Sequence, residues 1–268
     1  MKEVRAKKKF GQNFLIDKNV IANIISEGNI SSDSLVIEIG PGTGALTEHL
    51  VKAAGKVMAF EIDTDLIPIL HNKIKTDNFV LINKDILEVD VAKEIKENIG
   101  SLSNVIIIGN LPYYITTPII LGLLEKNIEA SAYVFMVQRE VADRLTAKPK
   151  TKDYNALSVL MNYKTKTKKC FDVSPQCFSP VPGVWSSVIK LTPFEYEIFP
   201  HNEKLFYEVN RAIFKQRRKT LLNNLQAYGV SKENALAIFA KLGFKPTIRS
   251  EELGIAEIIK LSDEIEAL

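Results

Sequence analysis

Short apolar runs alternate with stretches of helical periodicity over roughly the first 195 residues of the chain. The first run, residues 35–39, leads into a glycine-rich turn and then into a helical pattern that reaches about Ala54. Further strand-like runs occupy residues 56–60, 79–82, 105–108, 133–137 and 187–191, and residues 20–28 and 66–74 have helical periodicity. This alternation predicts an α/β fold with a mostly parallel sheet and helices on both faces.

The pattern changes near residue 195, because strand-like runs of comparable quality stop there. Helical periodicity continues at about 203–215, 217–227, 231–242 and 255–266, and glycines separate the later segments. We therefore predict two domains, residues 1–195 and residues 196–268, of which the second is small and all-helical. A length of 268 residues is compatible with two domains of this size.

One stretch, from Asn98 to Leu124, contains no charged side chain and is long enough to cross a bilayer. Pro112 and Pro118 would break a spanning helix, and Asn110 would leave a polar group unpaired in lipid. A buried strand, a polar loop and an apolar helix fit this stretch better. Two cysteines cannot form a disulfide framework, which favours a reducing compartment. We therefore expect a cytoplasmic protein that does not enter the membrane.

The formal net charge of +3 conceals an uneven distribution. Residues 1–18 carry a net +4, residues 139–169 a net +6 and residues 211–220 a net +5, which leaves −12 for the rest of the chain. Concentrated basic segments on a nearly neutral chain favour a polyanionic partner, and neighbouring aromatic and amide side chains favour nucleic acid. A solvated charged surface without a partner is the alternative for each segment.

A turn that contains Gly40, Gly42 and Gly44 follows the first predicted strand and opens a helix. Glycines at such a turn let the backbone pass close to a nucleotide-type ligand. Glu61 and Asp85 end the next two strands, where one carboxylate can accept the hydroxyls of a ribose and the other an adenine amino group. This order of residues predicts an adenosine-containing cofactor, either a nicotinamide dinucleotide or S-adenosylmethionine.

The fourth strand of this series ends in Asn110-Leu111-Pro112-Tyr113. An adenine N6 amine is a poor nucleophile because its lone pair is delocalised into the ring. The side-chain oxygen of Asn110 and a backbone carbonyl on the Pro112 side can each accept one N–H, which would direct the lone pair at an electrophilic methyl. Tyr113 can stack on a base taken out of its loop. The motif favours S-adenosylmethionine and methylation of an amine, without defining the substrate polymer; a turn with buried aromatic rings is the alternative.

Six ordered segments resemble the small-subunit rRNA adenine dimethyltransferases, above all the bacterial members of that family. They are residues 9–15, 38–44, 110–117, 137–144, 154–158 and 173–182, and residues 214–225 extend the resemblance into the second domain. The resemblance implies a Rossmann-like S-adenosylmethionine-dependent methyltransferase sheet followed by a helical RNA- and ribosome-binding domain. It also implies transfer of four methyl groups to N6 of two adjacent adenosines in the 3′-terminal hairpin loop of small-subunit (16S) rRNA, with a role in small-subunit biogenesis.

Candidate site residues follow from the motifs and the resemblance together. The cofactor contacts are expected to be Asn13, Leu15, Gly40, Gly42, Glu61, Asp85 and Asn110, of which the first two enter through the resemblance alone. The catalytic candidates are Asn110, Leu111, Pro112, Tyr113 and Phe178, where the resemblance implies that Phe178 stacks on the target base opposite Tyr113. No metal is expected. The expected partner is rRNA within the immature 30S subunit, and nothing in the sequence suggests more than a monomer.

A basic cluster in the second domain is the candidate RNA contact. It consists of Arg211, Lys215, Arg217, Arg218 and Lys219, which we predict to lie on helices and to bind phosphates. Two alternatives stay open at this stage. One is a large-subunit rRNA adenine methyltransferase of the macrolide-resistance type, and the other is a non-catalytic ribosome-assembly or transcription factor.

Overall fold

A computed structural model describes residues 6–7, 10–99, 104–126 and 128–268. The chain divides into two compact units, Met1–Ala142 with Lys168–Pro193, and Asp143–Thr167 with Phe194–Leu268. The strands are β1 Phe14–Leu15, β2 Ser34–Ile39, β3 Lys56–Phe60, β4 Phe79–Ile82, β5 Asn104–Asn110, β6 Ala130–Gln138, β7 Thr165–Val173, β8 Phe178–Ser179 and β9 Ser186–Pro193. The helices are α1 Lys18–Gly28, α2 Thr47–Ala53, α3 Ile67–Lys73, α4 Val91–Asn98, α5 Thr116–Glu125, α6 Arg139–Thr146, α7 Ala156–Lys164, α8 Glu203–Ile213, α9 Leu221–Tyr228, α10 Lys232–Leu242 and α11 Ile255–Glu266.

The first unit is built on a seven-stranded sheet in the order β4-β3-β2-β5-β6-β9-β7. Neighbours from β4 to β6 are parallel, and β9 is antiparallel to β6. Every residue of β2 is buried, as expected for a central strand covered on both faces. The predicted α/β sheet with flanking helices is therefore confirmed, and β7 is a strand that the apolar pattern did not indicate.

The centre of the sheet contains the point at which the strand order reverses. From β2 the chain moves outward through β3 and β4, and then returns to place β5 on the other side of β2. In open parallel sheets, ligands bind beyond the carboxyl ends of the strands at such a point. Gly40 follows β2 and Asn110 ends β5, and the registered pair Ile39 and Gly109 brings these two strand ends side by side.

A helical unit forms the second hydrophobic core. Its buried side chains come from α7, α8, α9, α10 and α11 and include Val159, Phe206, Leu225, Phe239 and Ile259. In the described part of the chain, no helix is long and apolar enough to cross a membrane.

The helical unit contains more of the chain than the sequence pattern indicated. It begins again at Phe194, close to the predicted boundary after residue 195, but it also includes residues 143–167, which we had placed in the first domain. The reason is packing: Tyr154, Val159 and Tyr163 are buried among the side chains of the helical core rather than against the sheet.

Two helix boundaries in this unit differ from the prediction, and the difference changes the setting of the basic cluster. Helix α8 ends at Ile213 and α9 begins only at Leu221, because the Thr220 side chain accepts the N–H of Asn223 as a cap. The side chain of Asn224 holds the intervening segment through the backbone N–H and carbonyl of Gln216. Four of the predicted RNA contacts, Lys215, Arg217, Arg218 and Lys219, thus lie in a loop rather than on the predicted helices.

Candidate active site

A cavity of about 270 Å³ opens at the reversal point of the sheet. It is lined by the segment before α1, the glycine-rich turn after β2, and the ends of β3, β4 and β5. The structure brings ten of the predicted site residues to this one cavity: Asn13, Leu15, Gly40, Gly42, Glu61, Asp85, Asn110, Leu111, Pro112 and Tyr113. These residues are spread over about a hundred positions in the sequence, so their convergence is a product of the fold.

The glycine-rich turn has backbone geometry that other residues adopt only with strain. Gly40, Gly42 and Gly44 have φ values of 65°, 60° and 79°. A Cβ on Gly40 would meet no atom within 4 Å, since this residue faces the cavity, whereas one on Gly42 would lie 3.1 Å from the ring of Phe14. The turn therefore leaves free space beside the backbone at Gly40, of the kind that a bound cofactor fills.

Glu61 presents a fixed carboxylate to the cavity. It is buried, and its two oxygens accept the backbone N–H of Gly42 at 3.1 Å and that of Asp63 at 2.8 Å. Burial raises the pKa of Glu61, while these backbone donors act in the opposite direction. Each carboxylate oxygen keeps a free lone-pair direction. The geometry suits acceptance of two ribose hydroxyls, as the sequence predicted.

The charges around the cavity favour a cationic ligand over a pyrophosphate. Glu61 and Asp85 supply carboxylates to its lining, and Lys84, the one lysine among the described lining residues, is paired with Glu94 at 2.5 Å. Glu38 also lines the cavity, but burial raises its pKa to about 8, so it holds a proton near neutral pH and adds no charge; the Thr47 hydroxyl donates to it at 2.7 Å. S-adenosylmethionine carries a sulfonium and an ammonium group, whereas a dinucleotide carries phosphate charges. Of the two cofactors left open by the sequence, the residues present fit S-adenosylmethionine.

The segment before α1 contributes a main-chain contact that no sequence motif reveals. The carbonyl of Asn13 accepts the side-chain N–H of Asn110 at 2.9 Å. Upstream, Gln12 and Lys7 both donate to Asp63, at 2.9 Å and 2.6 Å, which fastens the segment beside Glu61. Asn13 entered the prediction through a resemblance alone, because a backbone carbonyl carries no signature in residue type.

The hydrogen bond to Asn13 determines which end of the Asn110 side chain faces the cavity. Because the amide nitrogen is engaged, Oδ1 is left as the acceptor, and it accepts no hydrogen bond from the described part of the chain.

The second acceptor predicted for the amine, a backbone carbonyl on the Pro112 side, is assigned to Leu111 rather than to Pro112. The Pro112 carbonyl already accepts from Ile115 N and from the Thr116 hydroxyl. The carbonyl of Leu111, in the peptide bond to Pro112, accepts none among the described residues, so it is the second free acceptor.

Two tyrosines border the cavity next to these acceptors. The Tyr113 hydroxyl is 2.6 Å from the Ser186 hydroxyl, and burial raises its pKa. Tyr114 is 59% exposed, and its ring covers Gly11, where an added Cβ would lie only 3.2 Å away. Sequence reasoning selected Tyr113 and passed over Tyr114, although both follow the same motif.

Phe178 is not among the residues that line the cavity, although its strand partner Leu15 is. It is 1% exposed, and β8 pairs with β1 so that Phe178 stands opposite Leu15 in the core of the first unit. This arrangement does not support the prediction that Phe178 stacks on the target base. Strand pairing turns the ring inward, and the sequence pattern of a phenylalanine followed by prolines could not show this.

The basic loop of the helical unit, residues 214–220, meets a second basic segment. The guanidinium of Arg217 donates to the carbonyl of Lys152, so this loop adjoins the turn that contains Lys148, Lys150 and Lys152. All five predicted RNA contacts are exposed, Arg211 on α8 and the other four in the loop. Parts of two of the three basic segments of the sequence, the turn at 148–152 and the loop at 214–220, thus adjoin within the helical unit.

Comparison with known proteins agrees with these features. The family model described as Ribosomal RNA adenine dimethylase matches residues 3–266. A protein of Macrococcus caseolyticus (strain JCSC5402) named Ribosomal RNA small subunit methyltransferase A is 46% identical over 265 residues, covering 97% of this chain and 90% of the relative. One of the same name from Lysinibacillus sphaericus (strain C3-41) is 44% identical over 265 residues, with 97% and 90% covered.

Solved structures show the same likeness. A dimethyladenosine transferase from Plasmodium falciparum has a TM-score of 0.76 at 25% identity, covering 92% of this chain and 95% of that one. The 23S rRNA methyltransferase ErmE has a TM-score of 0.72 at 23% identity, covering 95% and 100%, and at that identity the likeness is one of fold. Because the family model spans nearly the whole sequence and the relatives align over almost their full length, the chain belongs to the Ribosomal RNA adenine dimethylase family.

Proposed function

We propose that this chain transfers methyl groups from S-adenosylmethionine to N6 of two adjacent adenosines in the 3′-terminal hairpin loop of small-subunit (16S) rRNA, giving N6,N6-dimethyladenosine. The observation that carries the proposal is the pair of free acceptors, Asn110 Oδ1 and the Leu111 carbonyl, at the edge of a cavity suited to the cofactor. Family membership and relatives named Ribosomal RNA small subunit methyltransferase A support the substrate class.

The protein's part in the reaction is to hold the amine. Glu61 and Asp85 would hold the adenosine part of the cofactor, and the glycine-rich turn would leave room for it against the backbone. When bound, S-adenosylmethionine supplies an electrophilic methyl group on a sulfonium. Asn110 Oδ1 and the Leu111 carbonyl each accept one N–H of the adenine amine, which keeps its lone pair out of the ring and available for attack. Tyr113 stacks on the base taken out of its loop.

The second methylation needs only one of these acceptors. After the first transfer, N6 carries one hydrogen, so either Asn110 Oδ1 or the Leu111 carbonyl still finds a donor. The proton that N6 loses on methylation leaves to solvent, since no strong base lines this edge of the cavity in the described part of the chain. Positioning and charge complementarity therefore carry the catalysis rather than proton abstraction.

The helical unit binds the rRNA in this proposal. The surface formed by the loops at 148–152 and 214–220 contacts phosphates, which orients the substrate without reading its sequence. We further propose that the substrate is the immature 30S subunit, that the protein takes part in its biogenesis, and that it acts as a cytoplasmic monomer, because one chain supplies the cavity, the acceptors and the basic surface.

The test uses purified protein and radiolabelled S-adenosylmethionine. Small subunits that lack the modification should be labelled in the 3′-terminal hairpin of their rRNA. Labelling of naked large-subunit rRNA instead would assign the chain to the macrolide-resistance type. Binding of small subunits without any labelling would indicate a non-catalytic assembly factor.

A further inference from the structure

Trp185 is an exposed aromatic ring held in place by a cation. Its side chain is 44% exposed, and the guanidinium of Arg139 lies over the ring at 5.6 Å from its centroid. The backbone N–H of Arg139 donates to the carbonyl of Trp185 at 2.9 Å, which fixes the two residues relative to each other. The cation therefore holds an exposed aromatic ring in one orientation at the surface.

The pair is linked directly to the edge of the cofactor cavity. Trp185 precedes Ser186, whose hydroxyl is 2.6 Å from the hydroxyl of Tyr113. Tyr113 in turn follows the acceptor residues Asn110 and Leu111 in the lining. The ring is thus placed one residue from a contact with the site that receives the adenine.

The acid near Arg139 is paired with another cation, so the charge of Arg139 can interact with a ligand. Arg139 acts only at longer range on Asp172, whose pKa is lowered mainly by a hydrogen bond from Ser187 and by Lys169. Lys169 is 2.9 Å from Asp172 and provides its ion pair. Arg139 is therefore free to face a polyanion while it stays over the ring.

We propose that Trp185 and Arg139 form a stacking platform for a nucleobase that neighbours the target adenosine in the rRNA loop, with Trp185 against the base and Arg139 against the ring or the adjoining phosphate. Flat rings beside a cation are the usual means of holding single-stranded bases irrespective of sequence. A base that neighbours the target loses a stacking partner when the target is extruded, and an aromatic platform near the cavity edge can replace that partner. This inference rests on the proposed function, since it needs an RNA substrate.

Trp185 is the single tryptophan of the chain, so its fluorescence reports on this site alone. The probe is a short RNA hairpin with two adjacent adenosines in its loop, added to protein saturated with S-adenosylhomocysteine. We expect the hairpin to quench the tryptophan emission along the same binding curve that anisotropy of a fluorescently labelled hairpin gives. Binding by anisotropy with unchanged tryptophan emission would overturn the inference.

Steady-state methylation of small subunits provides a second test. Trp185→Ala should raise KM for the subunit about tenfold with little change in kcat, and Trp185→Phe should restore most of the loss because a ring is kept. The matched control is Phe199→Ala, which removes a ring that is 60% exposed in the helical unit and should leave KM unchanged. Equal thermal stability and cofactor affinity of Trp185→Ala and the native chain exclude a folding defect.

The two proposals fail in different ways. If the native protein labels no small-subunit rRNA, the proposed function is wrong. If it labels that rRNA normally and Trp185→Ala has the native KM, the function stands and only the stacking platform is wrong.

Discussion

The side chain of Asn110 is oriented by a backbone carbonyl 97 positions earlier in the chain. An asparagine amide presents a donor and an acceptor at nearly the same place, and a catalytic role as acceptor requires that the two do not interchange. The bond from Nδ2 to the Asn13 carbonyl supplies that constraint. The segment before α1 thus acts on the chemistry although it contributes no side chain to the reacting atoms.

Replacing Asn110 by alanine should abolish the oriented acceptor while leaving the cavity intact. We expect Asn110→Ala to lower kcat by about a hundredfold or more, in the range found when one preorganised hydrogen-bonding group is removed from an active site. Single-turnover methylation of small subunits measures the effect. Affinity for the subunit should stay native, because the basic surface is untouched.

The control is Asn98→Ala, which removes an exposed asparagine amide near the end of α4. It should methylate at the native rate. A native rate in Asn110→Ala itself would show that the amine is activated in another way, and the proposed geometry would have to be abandoned.

Glu38 makes the stability of the folded chain depend on pH. Its carboxyl is 2% exposed, and burial raises its pKa from 4.5 to about 8. Between those pH values the folded chain holds a proton that the unfolded chain has released, so the free energy of unfolding falls as pH rises across the window. Above about pH 8 both states are ionised and the contribution levels off.

Glu38→Gln should remove this dependence, because the amide stays neutral at every pH. Without cofactor, the variant should gain stability over the native chain from pH 5 to pH 8, by up to about 1.4 kcal/mol for each pH unit. Thermal unfolding at a series of pH values measures it. The control Glu88→Gln, at an exposed position, should follow the native curve, and parallel curves for Glu38→Gln and the native chain would contradict the assignment.

At the scale of elements, the junction of β2 and β5 depends on a residue without a side chain. A Cβ on Gly109 would lie 2.7 Å from the carbonyl oxygen of Ile39, its registered partner on β2. Both strands are central, so neither can move aside without disturbing the sheet. The strand ends that carry Gly40 and Asn110 are therefore kept at close approach by this glycine.

Gly109→Ala should force the two strands apart. We expect a loss of about 1–3 kcal/mol in the free energy of unfolding, as for other overpacked cores, together with weaker cofactor binding. Denaturant unfolding and calorimetric titration with S-adenosylhomocysteine measure the two effects. Gly183→Ala is the control, because an added Cβ there would meet nothing within 4 Å, and equal behaviour of the two variants would refute the argument.

The loop between α8 and α9 is expected to bind rRNA phosphates through its arginines. Arg217→Ala combined with Arg218→Ala should weaken binding to small subunits and flatten the log–log dependence of affinity on salt by roughly one unit for each lost phosphate contact. Filter binding over a range of salt concentrations measures the slope. Lys232→Ala with Lys260→Ala removes two exposed charges outside the basic segments and should keep the native slope. An unchanged slope in the arginine variant would show that the loop is a solvated surface that makes no phosphate contact.

Local sequence signals predicted the elements that depend on local causes. The run at 56–60 coincides with β3, because a buried parallel strand is a continuous apolar run. The run at 79–82 coincides with β4, a half-buried strand at the edge of the sheet. The supposed helix over 217–227 begins later because the Thr220 cap and the Asn224 side chain stabilise a turn before it, which periodicity does not detect. The same holds for β7, whose alternating lysines and threonines resemble a solvated segment.

The site shows the same division between local and distant causes. Strand-end carboxylates and the glycine-rich turn could be identified because residue type and spacing carry their chemistry. The Asn13 carbonyl, the free Leu111 carbonyl and the inward turn of Phe178 depend on pairing between distant segments, so residue type alone could not show them.

At the scale of the whole molecule, the two units to which we assign methyl transfer and rRNA binding are not continuous in sequence. Residues 143–167 join the helical unit and bring the lysine-containing turn to the basic loop, whereas residues 168–193 return to the sheet and bring Ser186, which follows Trp185, beside Tyr113. A division at residue 195 misses this exchange because hydrophobic cores are assembled in space. The net charge of +3 likewise conceals a basic surface on one unit and an acidic cavity in the other.

The most direct test of the central claim is mass spectrometry of rRNA from unmodified small subunits incubated with the protein and S-adenosylmethionine. We predict a nuclease fragment of the 3′-terminal hairpin with two adjacent N6,N6-dimethyladenosines, formed by the native protein and absent with Asn110→Ala. Native protein that leaves this fragment unmethylated, or that methylates another position, would contradict it.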